Sequence, residues 1–475
     1  MSRRKKTKIV ATLGPASEKV EVMEEMILSG VDVFRINFSH AEHKDVAKRI
    51  KIIRDLSERL NSNTSILADL QGPKLRVGKV EEGTVVTPGD RIDFLNGEPF
   101  VGNKEKVYMN YDDFSKDVRP GERILLDDGK LIFEVISTDK KAKVEAKVIQ
   151  GGNLKSKKGV NLPNTDISLP ALTPKDVIDA EFAIKQDVDW IALSFVRNSE
   201  DILDLRKLIE EHSDHKIPII AKIEKPEGIE NIDKIISYCD GLMVARGDLG
   251  VEIPPAEVPL MQKELVKLAK KARIPVIIAT QMMESMIDSL TATRAEVNDV
   301  ANSVMDGADA VMLSGETSVG EYPVEVIQTM SSIIHSVENS DLISVPRKPP
   351  NIRTVRFITK SICYHAVHIA NDVQAKAICT LTNSGYTAFQ VSAWRPNSHI
   401  LVFTSNKRIL TQLNLIWGVK AFYYDSFEST DKTVEQINEI AKEMGYVDKG
   451  DLLINLTAMP IVQKGMVNTL RVSTI

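Results

Sequence analysis

This chain of 475 residues has no long apolar run, only three cysteines and no marked excess of either charge. No apolar stretch approaches the roughly 20 residues that cross a bilayer, so a membrane span is not expected. The basic start Met1–Lys6 is followed by no adequate apolar segment, and no signal peptide is expected. The three cysteines, Cys239, Cys363 and Cys379, form no CxxC pair. A disulfide framework is therefore not expected, and a reducing cytoplasmic setting fits. Lys and Arg total 61 against 66 Asp and Glu, a net charge of −5. That argues against a general binder of nucleic acid or of an anionic membrane, while leaving room for a local basic pocket. There is no low-complexity tract and no repeat of fixed short period. What is present is ordinary for globular proteins, 43% hydrophobic and 27% charged residues, with length for about three domains at about 150 residues each.

Short β-branched runs alternate with amphipathic helical stretches. Strands are expected at Lys8–Leu13, Val31–Ile36 and Ser65–Asp69, with helices at Ser17–Ser29 and Glu42–Leu60 between them. The alternation then stops. From Gly72 to about Thr165 only strand-like runs and turn signals occur, among them Arg123–Leu126, Leu131–Ser137 and Lys143–Gln150. It resumes at Thr173-Pro174, an N-cap followed by a first-turn proline. Strands are then expected at Trp190–Phe195, Ile217–Ile223, Gly241–Ala245, Pro275–Thr280 and Ala308–Ser314. Helices are expected at Ser199–His212, Pro226–Tyr238, Pro259–Arg273, Ala292–Asp306 and Tyr322–Val337. Eight βα units is the number that closes a parallel barrel. The expected fold is α/β: a (β/α)8 TIM barrel (1–72 and 166–345), an inserted β-rich domain (73–165) and a C-terminal α/β domain (346–475). The Pro-rich stretch Ser344–Asn351 reads as a linker. Further strands are expected at Ala377–Leu381, His399–Phe403, Ala421–Tyr424 and Leu452–Leu456.

A TIM barrel carries its chemistry at the C-terminal ends of its strands. Here those ends are dense in polar residues: Arg35 to His40, Asp69, Ser194, Lys222 to Lys225, Arg246 to Asp248, Thr280-Gln281 and Ser314 to Thr317. Glu224 and Asp248 would project from adjacent strands into one mouth. Two carboxylates beside Lys222 and Arg35 suit a Mg²⁺ held partly by substrate oxygens; a general acid–base pair or a structural ion pair are the alternatives. Lys222 and Glu224, two apart on a strand, point to the same face. A cation next to a metal site requires an anion between them, and Arg76 and Lys158 add positive charge around it. Gly247 to Gly250 offers small residues and backbone N–H groups for such an anion. The assembly suggests phosphoryl transfer.

These residues also resemble a known family over essentially the whole chain, pyruvate kinase. The segments Lys8–Ser17, Arg35–His40, Lys222-Ile223-Glu224, Met243–Gly250, Ala279–Met282 and Leu313–Thr317 follow the family's order, and the Met-Val-Ala-Arg-Gly-Asp-Leu-Gly run is highly specific. The resemblance implies a mobile lid at the insertion, an effector domain at the C-terminus and a homotetramer. It implies Arg35 at the substrate phosphate, Lys222 at the phosphoryl group in transit, and Glu224 and Asp248 as ligands of Mg²⁺, with Mn²⁺ as a possible substitute. Gly247, Asp248 and Thr280 match the segment at the carboxylate end of pyruvate. Asn37, His40, Arg76 and Lys158 match contacts to ADP or ATP. Thr280, Ser314 and Glu316 match the polar set around enolate protonation. The substrates implied are phosphoenolpyruvate and ADP.

Many members hold K⁺ through positions matching Asn37, Ser39, Asp69 and the carbonyl of Leu70, with a glutamate where this chain has Lys74. Lys74 therefore resembles the potassium-independent branch, and no K⁺ requirement is expected; an ammonium can stand where that cation would. Thr382, Asn383, Ser384, Gly385 and Thr387 resemble the family's effector-phosphate loop. The late stretch Ala458–Gly465 departs from the pattern of the fructose 1,6-bisphosphate site, so a monophosphate effector is expected. Three other signals read as structural. Cys363, His365 and His368 lie on one helical stretch among apolar residues and lack a four-ligand zinc set. Met282, Met283 and Met286 read as flexible filler. Lys267, Lys270, Lys271 and Arg273 read as a solvated helix face.

Overall fold

The computed structural model describes residues 5–39, 41–163, 165–340, 342–343, 345, 349, 356–426, 428–460 and 466–475. His40, most of the expected linker Ser344–Asn351 and residues 461–465 of the late stretch lie outside them.

Eight parallel strands close a barrel: β1 (Lys8–Thr12), β2 (Val33–Asn37), β3 (Ser65–Asp69), β4 (Trp190–Leu193), β5 (Ile219–Ile223), β6 (Gly241–Ala245), β7 (Val276–Ala279) and β8 (Ala310–Leu313). β1 closes the ring by pairing with both β2 and β8. Successive strand residues point to opposite faces. Ile9, Ala11, Phe34, Ile36, Ile66, Ala68, Ile219 and Ala221 pack in the same core cluster as the surrounding helices. The alternate residues, Val10, Val33, Leu67, Trp190, Ile220, Met243 and Ile277, fill the bore. That filling continues into Trp394, Leu413 and Trp417 of the C-terminal domain. The bore is thus apolar at its lower end, and the inward positions Arg35, Asp69, Lys222 and Glu224 give it a charged upper end.

The lower rim carries a fourfold pattern that the sequence did not announce. The residue before each even-numbered strand is an aspartate: Asp32, Asp189, Asp240 and Asp309. Each carboxylate accepts the backbone N–H at the start of the preceding odd strand: Ile9 (2.9 Å), Ile66 (2.6 Å), Ile219 (3.0 Å) and Val276 (3.1 Å). Each also meets a cation: Lys8 at 3.7 Å, Arg54 at 2.9 Å, Arg206 at 2.6 Å and Arg395 at 3.0 Å. Three of the four touch the C-terminal domain as well. Arg395 belongs to it, the Thr411 hydroxyl bonds Asp189, and the Asn414 amide donates to the Asp32 carbonyl at 2.9 Å.

The insertion is a six-stranded sheet in the order 160–161, 123–126, 131–138, 143–150, 91–95 and 106–108, with a two-stranded ribbon of 152–153 and 85–86. Its own core holds Phe94, Phe114, Phe133 and Ile124. Strands alone were expected there, but a single helical turn, Phe114–Asp117, is also present. The C-terminal domain has β9 (Ala377–Leu381), β10 (His399–Thr404), β11 (Val419–Tyr423), β12 (Leu452–Thr457) and β13 (Thr469–Thr474), in the order 11-10-9-12-13. The antiparallel edge strand β13 was not foreseen; it has no fully buried residue and carries only Leu470 and Val472 as apolar residues. The stretch expected as one helix from Pro226 to Tyr238 breaks at Asn231 into two. Among the described residues no helix is long and apolar enough to cross a membrane.

The expectation of a solvated face at Lys267–Arg273 is corrected for two of its members. Lys270 is buried and donates to the Asp306 carbonyl, and Arg273 lies over the Trp394 ring and bonds Gln390. Both contacts come from neighbouring elements that the helix's own periodicity does not reveal.

Candidate active site

The upper rim gathers its charge around one ammonium. Lys222 Nζ, near the end of β5, lies 3.1 Å from Asp69 Oδ1 at the end of β3 and 3.0 Å from Glu224 Oε1. It donates to Ser194 Oγ at 2.7 Å, and that hydroxyl donates to the Leu70 carbonyl at 2.7 Å. The other oxygen of Asp69 accepts from Arg35 Nε at 2.5 Å, and Arg35 Nη1 donates to Thr12 Oγ1 at 3.0 Å. Asp69 therefore clamps both cations. The sequence pointed to it as a polar strand-end residue and a monovalent-cation ligand but not as this clamp, because pairing across the bore needs the closed ring.

Burial by itself would lower the Lys222 pKa, but the charges of Asp69 and Glu224 outweigh it and hold it above the ordinary lysine value. Burial raises Asp69, yet Arg35 and Lys222 pull it below the usual carboxylate range. Glu224 is pushed upward, first by burial and then by the nearby Asp248 charge, against the pull of Lys222. A buried carboxylate short of positive charge is one that a metal ion would relieve. Glu224 Oε1 and Asp69 Oδ1 also have no aligned hydrogen-bond partner. The second oxygen of Glu224 is fixed by the Phe195 N–H at 2.8 Å. Among the described residues no group of three or more His, Cys, Asp or Glu could hold a metal alone. The residues present fit a hard divalent cation that shares its shell with substrate oxygens.

The neighbouring strand ends are laced together. Gly247 N–H donates to Thr280 Oγ1 at 2.7 Å, and Arg246 joins the Thr280 carbonyl (2.7 Å) to Asp299 (2.6 Å). Gly247 to Gly250 lies in a short helix, Arg246–Glu252, whose first turn carries Asp248. Glu316 accepts the N–H groups of Ser314 (2.7 Å) and Met283 (3.1 Å), and burial raises its pKa. Phe195, Thr280 and Gln281 have φ of 54°, 70° and 54°, a left-handed backbone costing about 1–3 kcal/mol each and typical of functional sites. Met282, Met283 and Met286 are fully buried.

Two groups of expected residues stand apart from this cluster. Arg76 and Lys158 lie on the insertion, Arg76 bonded to the Lys157 carbonyl (2.9 Å) and Lys158 paired with Asp127 (2.7 Å). Lys74 is exposed at its root, in a cleft that Asp128, Phe195, Lys225, Asp248 and Glu252 also line. Lys225 and Glu252 form a buried pair at 2.9 Å, and Asn161 of the insertion donates to Glu252 at 2.9 Å, a junction that no motif signalled. Asn37 Oδ1 accepts the Ser39 N–H at 3.1 Å. In the C-terminal domain Thr382, Asn383, Ser384 and Gly385 form the turn after β9, with Gly385 N–H on Thr382 Oγ1 at 3.0 Å. Thr387 is buried beneath that turn, its hydroxyl taking the Thr380 hydroxyl at 3.0 Å.

Two family models match the chain: the pyruvate kinase barrel domain over residues 4–327 and the pyruvate kinase alpha/beta domain over residues 360–473. The chain belongs to the pyruvate kinase family. It is 42% identical over 478 residues to the pyruvate kinase of Geobacillus stearothermophilus, covering 99% of this chain and 81% of that protein. It is 40% identical over 472 residues to that of Corynebacterium glutamicum, covering 98% and 97%. The crystal structure of a pyruvate kinase from Cryptosporidium parvum superposes with a TM-score of 0.91 at 34% identity, covering 99% of this chain and 96% of that one. Pyruvate kinase is a phosphotransferase of glycolysis: it moves the phosphoryl group of phosphoenolpyruvate to ADP, giving pyruvate and ATP, and this chain is an enzyme of that kind.

Proposed function

We propose that Lys222 is the cation that meets charge developing on the phosphoryl oxygens during transfer, and that Arg35 binds the substrate phosphate beside it. The observation that carries this is the Lys222 ammonium itself, buried, kept charged by Asp69 and Glu224, and anchored at Ser194. A cation fixed in advance in a site of low dielectric lowers the barrier without reorganising. Glu224 and Asp248 would hold Mg²⁺, or Mn²⁺ in its place; when bound, the metal supplies charge neutralisation at the substrate oxygens. Gly247, Asp248 and Thr280 take the carboxylate end of pyruvate. Asn37, His40, Arg76 and Lys158 contact the nucleotide, so Arg76 and Lys158 would be carried to the mouth by closure of the insertion, which also keeps out water. Thr280, Ser314 and Glu316 belong to the polar set through which the enolate is protonated on carbon.

Three regulatory readings accompany this. K⁺ is not required: at the family's monovalent site the Leu70 carbonyl accepts from Ser194, one Asp69 oxygen accepts from Arg35 while the other faces the Lys222 ammonium, and Asn37 Oδ1 accepts the Ser39 N–H. Thr382, Asn383, Ser384 and Gly385, with Thr387 beneath, receive the phosphate of a monophosphate effector. The enzyme works as a homotetramer in the cytoplasm. The experiment is a coupled assay of pyruvate formation from phosphoenolpyruvate and ADP, with and without Mg²⁺ and K⁺ and with a panel of sugar phosphates. Pyruvate release that needs ADP and Mg²⁺ is expected. Activation by fructose 1,6-bisphosphate far beyond that by any monophosphate would contradict the effector reading.

A further inference from the structure

We propose that Ser194 is a positioning residue for phosphoryl transfer, its hydroxyl aiming the Lys222 ammonium from a fixed anchor on the Leu70 carbonyl. The inference rests on the assignment of Lys222 to the phosphoryl group. Three groups surround Nζ: Ser194 Oγ at 2.7 Å, Glu224 Oε1 at 3.0 Å and Asp69 Oδ1 at 3.1 Å. Both carboxylate oxygens lack an aligned hydrogen bond. Their pull is Coulombic, which depends on distance and hardly on direction. The bond to Ser194 is the directional one.

The hydroxyl has one proton, and that proton is committed to the Leu70 carbonyl at 2.7 Å. Its lone pairs therefore face Lys222, and it acts only as an acceptor there. Ser194 is 1% exposed, so water cannot substitute readily for either bond. The serine is itself held in place. Phe195, the next residue, is left-handed at φ 54° and gives its N–H to Glu224. Gly72, at φ 69°, lies so close that a Cβ there would come within 2.9 Å of Ser194 Cβ and 2.8 Å of the Phe195 ring. One turn at the end of β4 thus fixes Lys222 through a side chain and Glu224 through a backbone N–H. Without the hydroxyl, the ammonium would swing fully onto one of the two carboxylates. It would then be aimed away from the phosphoryl oxygens while still lying in the site.

The test is a double-mutant cycle of Ser194→Ala and Lys222→Met, with Ser194→Cys as a near-isosteric control whose thiol is a weak donor and acceptor. Thermal melts and circular dichroism accompany each variant. Ser194→Ala and Ser194→Cys should lower kcat by about 10- to 10²-fold, the scale of a misaligned catalytic group. KM for phosphoenolpyruvate should stay within about threefold, since the lost interaction belongs to the transition state. In the Lys222→Met background, Ser194→Ala should cost less than about twofold more, because the serine acts through the lysine. Near-normal kcat in both Ser194 variants overturns the proposal, and so does a loss that persists undiminished once Lys222 is gone. If Lys222→Met itself turns over normally, the assignment of that lysine fails first. A crippled Lys222→Met with intact Ser194 variants removes the positioning role alone. If Ser194→Ala does not fold, Ser194→Cys decides.

Discussion

The two rims of the barrel are built from the same materials, buried aspartate or glutamate beside lysine or arginine, and finish them differently. At the lower rim every one of the four aspartates accepts a strand-starting N–H and meets a cation. Among the described residues none of these four carboxylates has a buried oxygen without a partner. At the upper rim Asp69 Oδ1 and Glu224 Oε1 have an ammonium near them but no aligned bond, and Glu224 is raised by burial and then by the Asp248 charge. A saturated charge network fixes a structure, whereas an unsaturated one stores an interaction for something that arrives. Polar residues at the lower face of such barrels serve stability and those at the upper face serve chemistry. Here that division is legible atom by atom.

The sharpest way to break the contrast is to unsaturate the lower rim. Asp309 and Arg395 are 5% and 2% exposed. Asp309→Ala would strand the buried guanidinium and the Val276 N–H, costing roughly 3–5 kcal/mol of stability. Denaturant or thermal unfolding reads the loss, and kcat per folded enzyme should stay within about twofold, since the upper rim is untouched. A large fall in kcat without a fall in stability would erase the distinction between the rims.

The reciprocal change is Lys222→Met. Removing one preorganised electrostatic group costs about 10²–10³ in kcat. KM for phosphoenolpyruvate should change less, because Arg35 remains. The melting temperature should fall as well, because the variant leaves the buried Asp69 and Glu224 carboxylates without their shared ammonium, so kcat is read per folded enzyme. Turnover close to wild type would refute the role of Lys222.

The upper rim was the more legible of the two in the sequence, for a physical reason. Its residues sit at the ends of apolar strands, where a run such as Ile-Ile-Ala-Lys-Ile-Glu breaks its own pattern, and spacing by two already places Lys222 and Glu224 on one face. The strands and helices of the barrel were legible for the same reason, since each has its own period. The lower aspartates stand immediately before strands, two of them in ordinary Gly-Val-Asp and Gly-Ala-Asp turns, and look like any solvated turn residue. The strand N–H groups they hold lie 21 to 123 residues away, and only the closed ring brings them together. Ser194 shows the intermediate case. Its place at a strand end was readable, but its commitment to Leu70 and Lys222 was not.

A milder perturbation of the lower rim uses Asp240, which is 18% exposed and shared by Arg206 and Lys216. Asp240→Asn keeps an acceptor for the Ile219 N–H and loses only the charge, so about 1 kcal/mol is expected. Cys239 next to it is a built-in reporter. Burial first, and the Asp240 charge second, push its thiol up to about 12. In the native enzyme at pH 8 it should stay neutral and resist alkylation. Asp240→Asn should speed its labelling severalfold through local opening, with kcat unaffected. Unchanged labelling kinetics would mean that Asp240 does not hold that edge closed.

The smallest expected effect is none at all, and it concerns a cation at the upper rim that the chain supplies itself. Lys74 lies exposed in the cleft at the root of the insertion. Among the described residues no carboxylate lies within 4 Å of it, unlike the lower-rim cations. An added K⁺ at 4 Å from this ammonium would be opposed by about 4 kcal/mol at an effective dielectric of 20. It would also have to share the Leu70 carbonyl with Ser194 and compete with Arg35 and Lys222 for Asp69. Turnover in a tetramethylammonium buffer should therefore match turnover in KCl at the same ionic strength. A many-fold rise on titrating K⁺ would show that these oxygens are less committed than their hydrogen bonds imply. Lys74→Glu inverts the charge at the cleft and should create the dependence that the wild type lacks: low kcat in tetramethylammonium, recovered by K⁺. If instead Lys74→Glu is equally active in both salts, the ammonium is a bystander, and K⁺ independence rests on the hydrogen bonds of Ser194, Arg35 and Lys222 alone.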